Sequence, residues 1–130
     1  ALPNIAPSGL YISDLRFKKM DLDSGEIVGV IAGTLHNDTS EEFKTVVLEG
    51  LGFDEEGNAV SSVRITAGAG LGSAKVKSLS REMINDLQAR PPIKKFSLAP
   101  QDSYSFSIAL TEHKPEKLAH YSARVYSVVR

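Results

Sequence analysis

Several groups of residues in this chain have the types, though not always the spacing, that chemistry requires. Gly68-Ala69-Gly70-Leu71-Gly72 could let main-chain N–H groups approach an anion closely, as phosphate loops do. The segment lacks the last glycine of G-x-G-x-x-G and the lysine and hydroxyl of a P-loop, and Lys75 and Lys77 stand off that lysine's place, so it reads as a flexible connector. Asp21-Leu22-Asp23-Ser24-Gly25 and Asp54-Glu55-Glu56-Gly57 offer clustered carboxylates, the hard oxygen ligands that calcium takes. In the first, glycine comes one position early and Ala32 stands where the bidentate acid belongs, so both read as solvated hairpin turns. His36, His113 and His120 are the three histidines, and zinc usually needs closer pairs or cysteine partners. The serines that stand out alternate along one strand instead of sitting on a Gly-x-Ser-x-Gly elbow, and no tryptophan supplies a sugar platform beside a pair of acids. No catalytic, cofactor-binding or metal-ligating residue is therefore assigned, no cofactor is expected, and the chain is read as a non-enzyme.

Composition narrows the function classes further. With 130 residues the chain has the size of one domain, and it can bury a sufficient core without disulfide or metal. The absence of cysteine removes thiol nucleophiles, iron–sulfur clusters and redox dithiols. Fifteen basic residues against sixteen acidic ones give a net charge of -1, so no global field favours nucleic acid or an anionic membrane. No apolar run reaches the ~20 residues of a membrane span, so these residues are not expected to insert into a bilayer directly. Residues 1–65 hold 5 basic and 11 acidic residues and residues 66–130 hold 10 and 5, an asymmetry that interleaved strands would mix into one surface. Lys75, Lys77, Arg81, Arg90, Lys94 and Lys95 form the densest basic group, and without interleaved aromatics it reads as a solvated face. The chain opens Ala1-Leu2-Pro3-Asn4 without an initiator Met, as expected of a processed product or an excised domain.

The elements that must position these residues are mostly strands. Residues 1–9, with Pro3, Pro7 and Gly9, read as a lead-in, and residues 10–130 as a single domain. Leu10 to Phe17 alternates, with Leu10 and Ile12 on one face and Tyr11, Ser13 and Leu15 on the other; a turn is expected over Met20 to Glu26. Ile27 to Leu35 is a buried strand, His36 to Ser40 a surface turn, and Phe43 to Phe53 a strand covered on both faces. Ala59 to Ala67 returns across the Asp54 to Asn58 hairpin loop. After the glycines the period changes to 3.6: Ser80 is the N-cap, Leu79 can staple onto Ile84, Met83, Ile84 and Leu87 form the apolar stripe, and Pro91-Pro92 ends the helix. Ile93 to Leu98 is expected to be extended, Pro100-Gln101-Asp102 a turn, and Tyr104, Phe106, Ile108 and Leu110 alternate with Ser103, Ser105, Ser107 and Ala109 in a strand. Beyond a charged loop over Glu112 to Lys117 around Pro115, His120 to Val129 closes the fold. About seven strands and one short helical crossover predict an all-β, immunoglobulin-like two-sheet β-sandwich.

Two stretches taken in order add a resemblance. Val30 to Thr39 ends a strand in Gly33-Thr34-Leu35-His36-Asn37, and Val46-Val47-Leu48 leads to Phe53-Asp54-Glu55-Glu56-Gly57-Asn58-Ala59-Val60. This pattern resembles a family of bacterial domains of unknown function that lie C-terminal to a zinc ribbon and a single transmembrane helix. Leu79 to Asn85 is similar to the family's short helix, and Leu98 to Phe106 to its turn before an aromatic strand; the chain has Gln101 where the family often carries glycine. The resemblance covers residues 10–129. It implies an immunoglobulin-like sandwich on the periplasmic or extracytoplasmic side, tethered to the inner membrane by a segment outside this chain, and it supplies no catalytic residue. The expected role is a protein-binding or scaffolding domain whose partner sits at an edge strand or loop end. The alternative is a small-molecule or metal-binding domain using the glycine-rich connector with His36, His113 or His120.

Overall fold

A computed structural model of the chain describes residues 7–69, 76–92, 95–111 and 117–130. The lead-in before residue 7, Gly70, Leu71, Gly72, Lys75, Lys94, His113 and Pro115 lie outside the described residues. Six strands and one α-helix are described: β1 (Leu10–Asp21), β2 (Ile27–Asn37), β3 (Thr45–Phe53), β4 (Ala59–Thr66), α1 (Arg81–Ala89), β5 (Ser103–Leu110) and β6 (His120–Val129), with a 3-10 turn at Val76–Ser78. They form two antiparallel sheets, β1-β2-β5 and β4-β3-β6. The expected all-β two-sheet sandwich with one short helical crossover is the fold observed. Each sheet takes strands from both halves of the chain, so the acidic first half and the basic second half interleave.

The core lies between the sheets. Leu35, Phe43, Val46, Leu48, Ile65, Leu98, Phe106 and Ile108 are buried there, each worth roughly 1.5–3 kcal/mol of apolar transfer. The centre of β2 is thinned to admit them: a Cβ on Gly29 would stand 2.6 Å from the Phe17 ring, and one on Gly33 would stand 2.9 Å from Phe106 and 3.1 Å from Leu15. These two positions have room only for hydrogen.

The strand alternation expected of the sequence fails at one place. Between Ser13 and Arg16 the β1–β2 register shifts, and Asp14 takes φ 55°. This bulge re-aims the rest of the strand, so Leu15 joins Leu10 and Ile12 on the core side instead of facing away from them. β1 also runs on to Asp21, and the turn tightens to Leu22–Glu26, closed by Leu22 N–H to the Glu26 carbonyl at 2.8 Å. Of the expected strand Ile93 to Leu98, Ile93 and Lys94 lie outside the described residues, and the described remainder forms no strand. Leu98 makes an isolated bridge to Phe43, and the turn at Pro100, closed by Asp102 N–H to the Ala99 carbonyl, follows it at once.

The helix forms as its caps dictate. The Ser80 side chain accepts from the Met83 N–H at 3.2 Å, and Leu79 packs into the same cluster as Ile84. The buried stripe is Ile84 and Gln88, four residues apart; Met83 is 54% exposed, a correction to the expected Met83-Ile84-Leu87 face. This stripe lies on the outer side of the first sheet, over Val28, Val30 and Ala109. The helix therefore covers one half of that outer face, and among the described residues no element covers the other half.

Candidate functional site

The uncovered half of the first sheet's outer face is built from residues that alternate away from the core. On β2 these are Ala32, Thr34 and His36; on β1, Tyr11, Ser13 and, after the bulge, Arg16; on β5, Ser103, Ser105 and Ser107. The serines that alternate along the predicted strand thus share one face with His36. Tyr11 stacks on His36 at 5.1 Å between ring centroids, and Ser13 Oγ lies 2.7 Å from His36 Nε2. The Tyr11 hydroxyl donates to Asp38, which, ahead of desolvation, holds the phenol pKa above its ordinary 10.0. Serine and histidine at that distance could form a nucleophile–base pair. Among the described residues no carboxylate bonds to His36 and Asp38 is engaged by Tyr11, so the third member of a triad is missing.

The second feature of this face is the edge of β5. Asn37 N–H donates to the Asp102 carbonyl, which fixes the phase of the β2–β5 ladder: Tyr104, Phe106 and Ile108 point their main-chain groups at β2, and Ser103, Ser105, Ser107 and Ala109 point theirs outward. The outward groups of Ala109 are satisfied by the helix. The Gln88 amide accepts from the Ala109 N–H at 2.7 Å and donates to the Ala109 carbonyl at 3.0 Å, both bonds buried. A side-chain amide thus stands where a neighbouring strand would. Ser105 and Ser107 have no such partner among the described residues.

The other three edges carry charge. β1 has its bulge with Arg16, Lys18 and Lys19, β4 has Arg64, and β6 has Arg124; β5 has no charged residue and no proline. Lysines, arginines and bulges are the usual guards of sheet edges, so β5 is the unguarded one. A cavity of about 180 Å³ opens beside it, lined by Arg16, Ala32, Ser105 and Ser107, with Ile65 of the facing sheet and Ala69 just beyond β4. At ~30 Å³ per water it holds the volume of one side chain, below the ~300 Å³ at which small-molecule pockets begin. A wider, shallower depression of about 420 Å³ lies between Lys44, Pro91, Lys95 and Phe96.

The second sheet's outer face is organised differently. Glu49, at the centre of β3, pairs across the strands with Arg64 on β4 and Arg124 on β6. It is 2% exposed, and its carboxylate accepts from Arg64 Nε at 2.9 Å and from Arg124 Nε at 2.8 Å. Burial would push the carboxyl pKa up, but the hydrogen bonds and charges of the two arginines outweigh it, and the pKa lies below the ordinary 4.5. Arg64 also lies 3.7 Å over the Tyr126 ring.

The structure separates the other residues that could do chemistry. His36 is on the first sheet, His120 starts β6 on the second, and neither cavity is lined by a histidine. Among the described residues no three His, Cys, Asp or Glu converge on a metal position. Asp54 closes its hairpin by accepting from the Glu56 and Asn58 N–H groups, and Asp21 to Gly25 is likewise a hairpin turn. Gly68, the described start of the glycine-rich connector, donates its N–H to the Tyr104 hydroxyl at 3.0 Å. Lys77, Arg81, Arg90 and Lys95 lie on and around α1.

Comparison of the chain with protein-family models, with curated proteins and with solved structures returns no match. Gln88, Arg16 and Glu49 are absent from the sequence-based expectations. One signal was available for Glu49, a lone acid within the aliphatic run Val46-Val47-Leu48-Glu49-Gly50-Leu51.

Proposed function

We propose that this chain is a non-enzymatic, immunoglobulin-like protein-binding or scaffolding domain that takes an extended peptide onto the edge of β5. The observation that carries the reading is the run of outward main-chain groups at Ser103, Ser105 and Ser107, free of charged guards and stopped at Ala109 by Gln88. Strand addition uses such a run: main-chain hydrogen bonds supply affinity, and alternate side chains supply specificity. The partition of the strands supports the immunoglobulin-like reading, since β1, β2 and β5 facing β3, β4 and β6 matches A, B and E facing C, C′ and F. The likeness of residues 10–129 to the zinc-ribbon-linked bacterial family supports an envelope-associated parent. In that reading the domain lies on the periplasmic or extracytoplasmic side, tethered to the inner membrane by a segment outside this chain. No described helix is long and apolar enough to cross a membrane.

A random ten-residue peptide library displayed on phage tests the reading, with the domain and its Ser105→Pro variant as baits. The Ser105 N–H points away from β2, so proline there removes a donor from the open edge and spares the ladder. Peptides enriched on the parent should bind the variant at least about tenfold more weakly, the loss of one to two main-chain bonds. Enrichment that is equal on both baits would refute edge addition.

A further inference from the structure

Strand addition leaves open what the added strand carries, and the row of residues leading to the edge specifies it. Arg16, Ala32 and Ser107 are direct cross-strand partners in one line over β1, β2 and β5. The two residues between Arg16 and the edge are small, and with Arg16 they line the cavity of about 180 Å³, which reaches round the β5 edge to Ile65 and Ala69. Arg16 makes no ion pair among the described residues, and the described residues lining the cavity include no acid. The result is a one-side-chain trench with a cation at its inner end, two serine side chains along it and its mouth at the open edge.

An added strand supplies the fourth place in this row. Directly opposed residues in neighbouring strands point to the same face, so the residue opposite Ser107 sends its side chain over the outer face and into the trench. Three strand spacings separate it from β1, about 14 Å, a gap that two long side chains of opposite charge bridge when they reach toward each other across alanine and serine. We infer that the peptide bound at the β5 edge carries a glutamate opposite Ser107, whose carboxylate pairs with Arg16 in the trench. The inference rests on the strand-addition reading and adds its specificity. The same row on the other sheet shows the arrangement completed within the chain: Glu49 sits in register with Arg64 and Arg124 and bonds to both.

The test uses the same displayed library with three baits: the parent domain, Ser105→Pro and Arg16→Glu. Sequences enriched on the parent should share an acidic residue at one fixed place within alternating residues. Arg16→Glu should weaken a synthetic version of the leading peptide by about fivefold, the range of a partly exposed ion pair. Replacing that peptide's acid by lysine should restore binding to Arg16→Glu and weaken binding to the parent. Peptides that lose binding to Ser105→Pro yet carry no fixed acid, or bind Arg16→Glu as well as the parent, would overturn the glutamate inference while strand addition stands. A library that enriches no peptide on the parent, or only peptides indifferent to Ser105→Pro, would overturn both.

Discussion

Two rows of three residues cross the two outer faces of this sandwich, Arg64–Glu49–Arg124 on one sheet and Arg16–Ala32–Ser107 on the other. Both begin with an arginine on an edge strand. In the first, the acid on the central strand is buried and bonded to both neighbours, so its charges are answered within the chain. In the second, alanine takes the central place, the arginine has no acid, and the row ends at a strand edge with no partner among the described residues. One residue on each central strand decides whether the charge of the edge arginine is answered within the row. The contrast teaches that one fold carries both a closed and an open version of the row, on its two opposite outer faces.

The comparison can be broken from either side. Glu49→Ala would convert the closed row into an open one and leave two arginines facing each other. Because Arg64 and Arg124 side chains are 51% and 35% exposed, the loss should fall below the 3–5 kcal/mol of a fully buried pair, at about 2 kcal/mol, read from the urea unfolding midpoint. Binding of the edge peptide should be unaffected. Gln88→Ala removes two buried hydrogen bonds and exposes one more outward residue of β5; it should cost about 2 kcal/mol and lengthen the open edge, raising self-association measurable by light scattering.

Acid distinguishes the two rows more gently. The Glu49 pKa is lower folded than unfolded, so the stability it confers is fully present above about pH 4.5 and is lost as pH falls through the folded value. Urea midpoints measured from pH 6 downwards should therefore decline, and Glu49→Gln should flatten part of that decline. A decline of equal size in Glu49→Gln would assign it to other carboxylates. The smallest stability effect is expected on the open row, where Ala32→Glu supplies Arg16 with an acid from within the chain. It should change stability by less than about 1 kcal/mol, the range of an exposed cross-strand pair, while lowering affinity for the acidic edge peptide several-fold in a titration.

Much of the fold was legible because its signals are local. The alternation of Tyr104, Phe106, Ile108 and Leu110, the Asp54-to-Asn58 hairpin and the Ser80 cap each depend on residues near in sequence. The bulge at Asp14 was not legible: nothing in Ser13-Asp14-Leu15 marks the residue that takes φ 55°, yet it decides that Leu15 faces the core. Asn37 was read as part of a surface turn, whereas it is fully buried, donating to the Leu98 carbonyl at 3.0 Å and the Glu41 carbonyl at 2.8 Å and accepting from the Thr39 N–H. That role depends on a segment 61 residues away. The candidate site was hidden for the same reason. The serine alternation gave the outer face of β5, but the unguarded edge, the Gln88 amide beside it and Arg16 in line with Ser107 exist only once strand order and register are known. Gln101 sits at φ 70°, a backbone conformation that glycine adopts without strain, and its residue type gives no sign of it.

The central claim, that β5 keeps an open edge ending at Gln88, is tested most directly by residue-resolved amide hydrogen exchange along Ser103 to Leu110. Tyr104, Phe106 and Ile108 should be protected through their bonds to β2. Ser105 and Ser107 should exchange faster by about two orders of magnitude or more, and Ala109 should be slow in the parent but fast in Gln88→Ala. Protection of Ser105 and Ser107 equal to that of Phe106 would show the edge to be covered and would contradict the account.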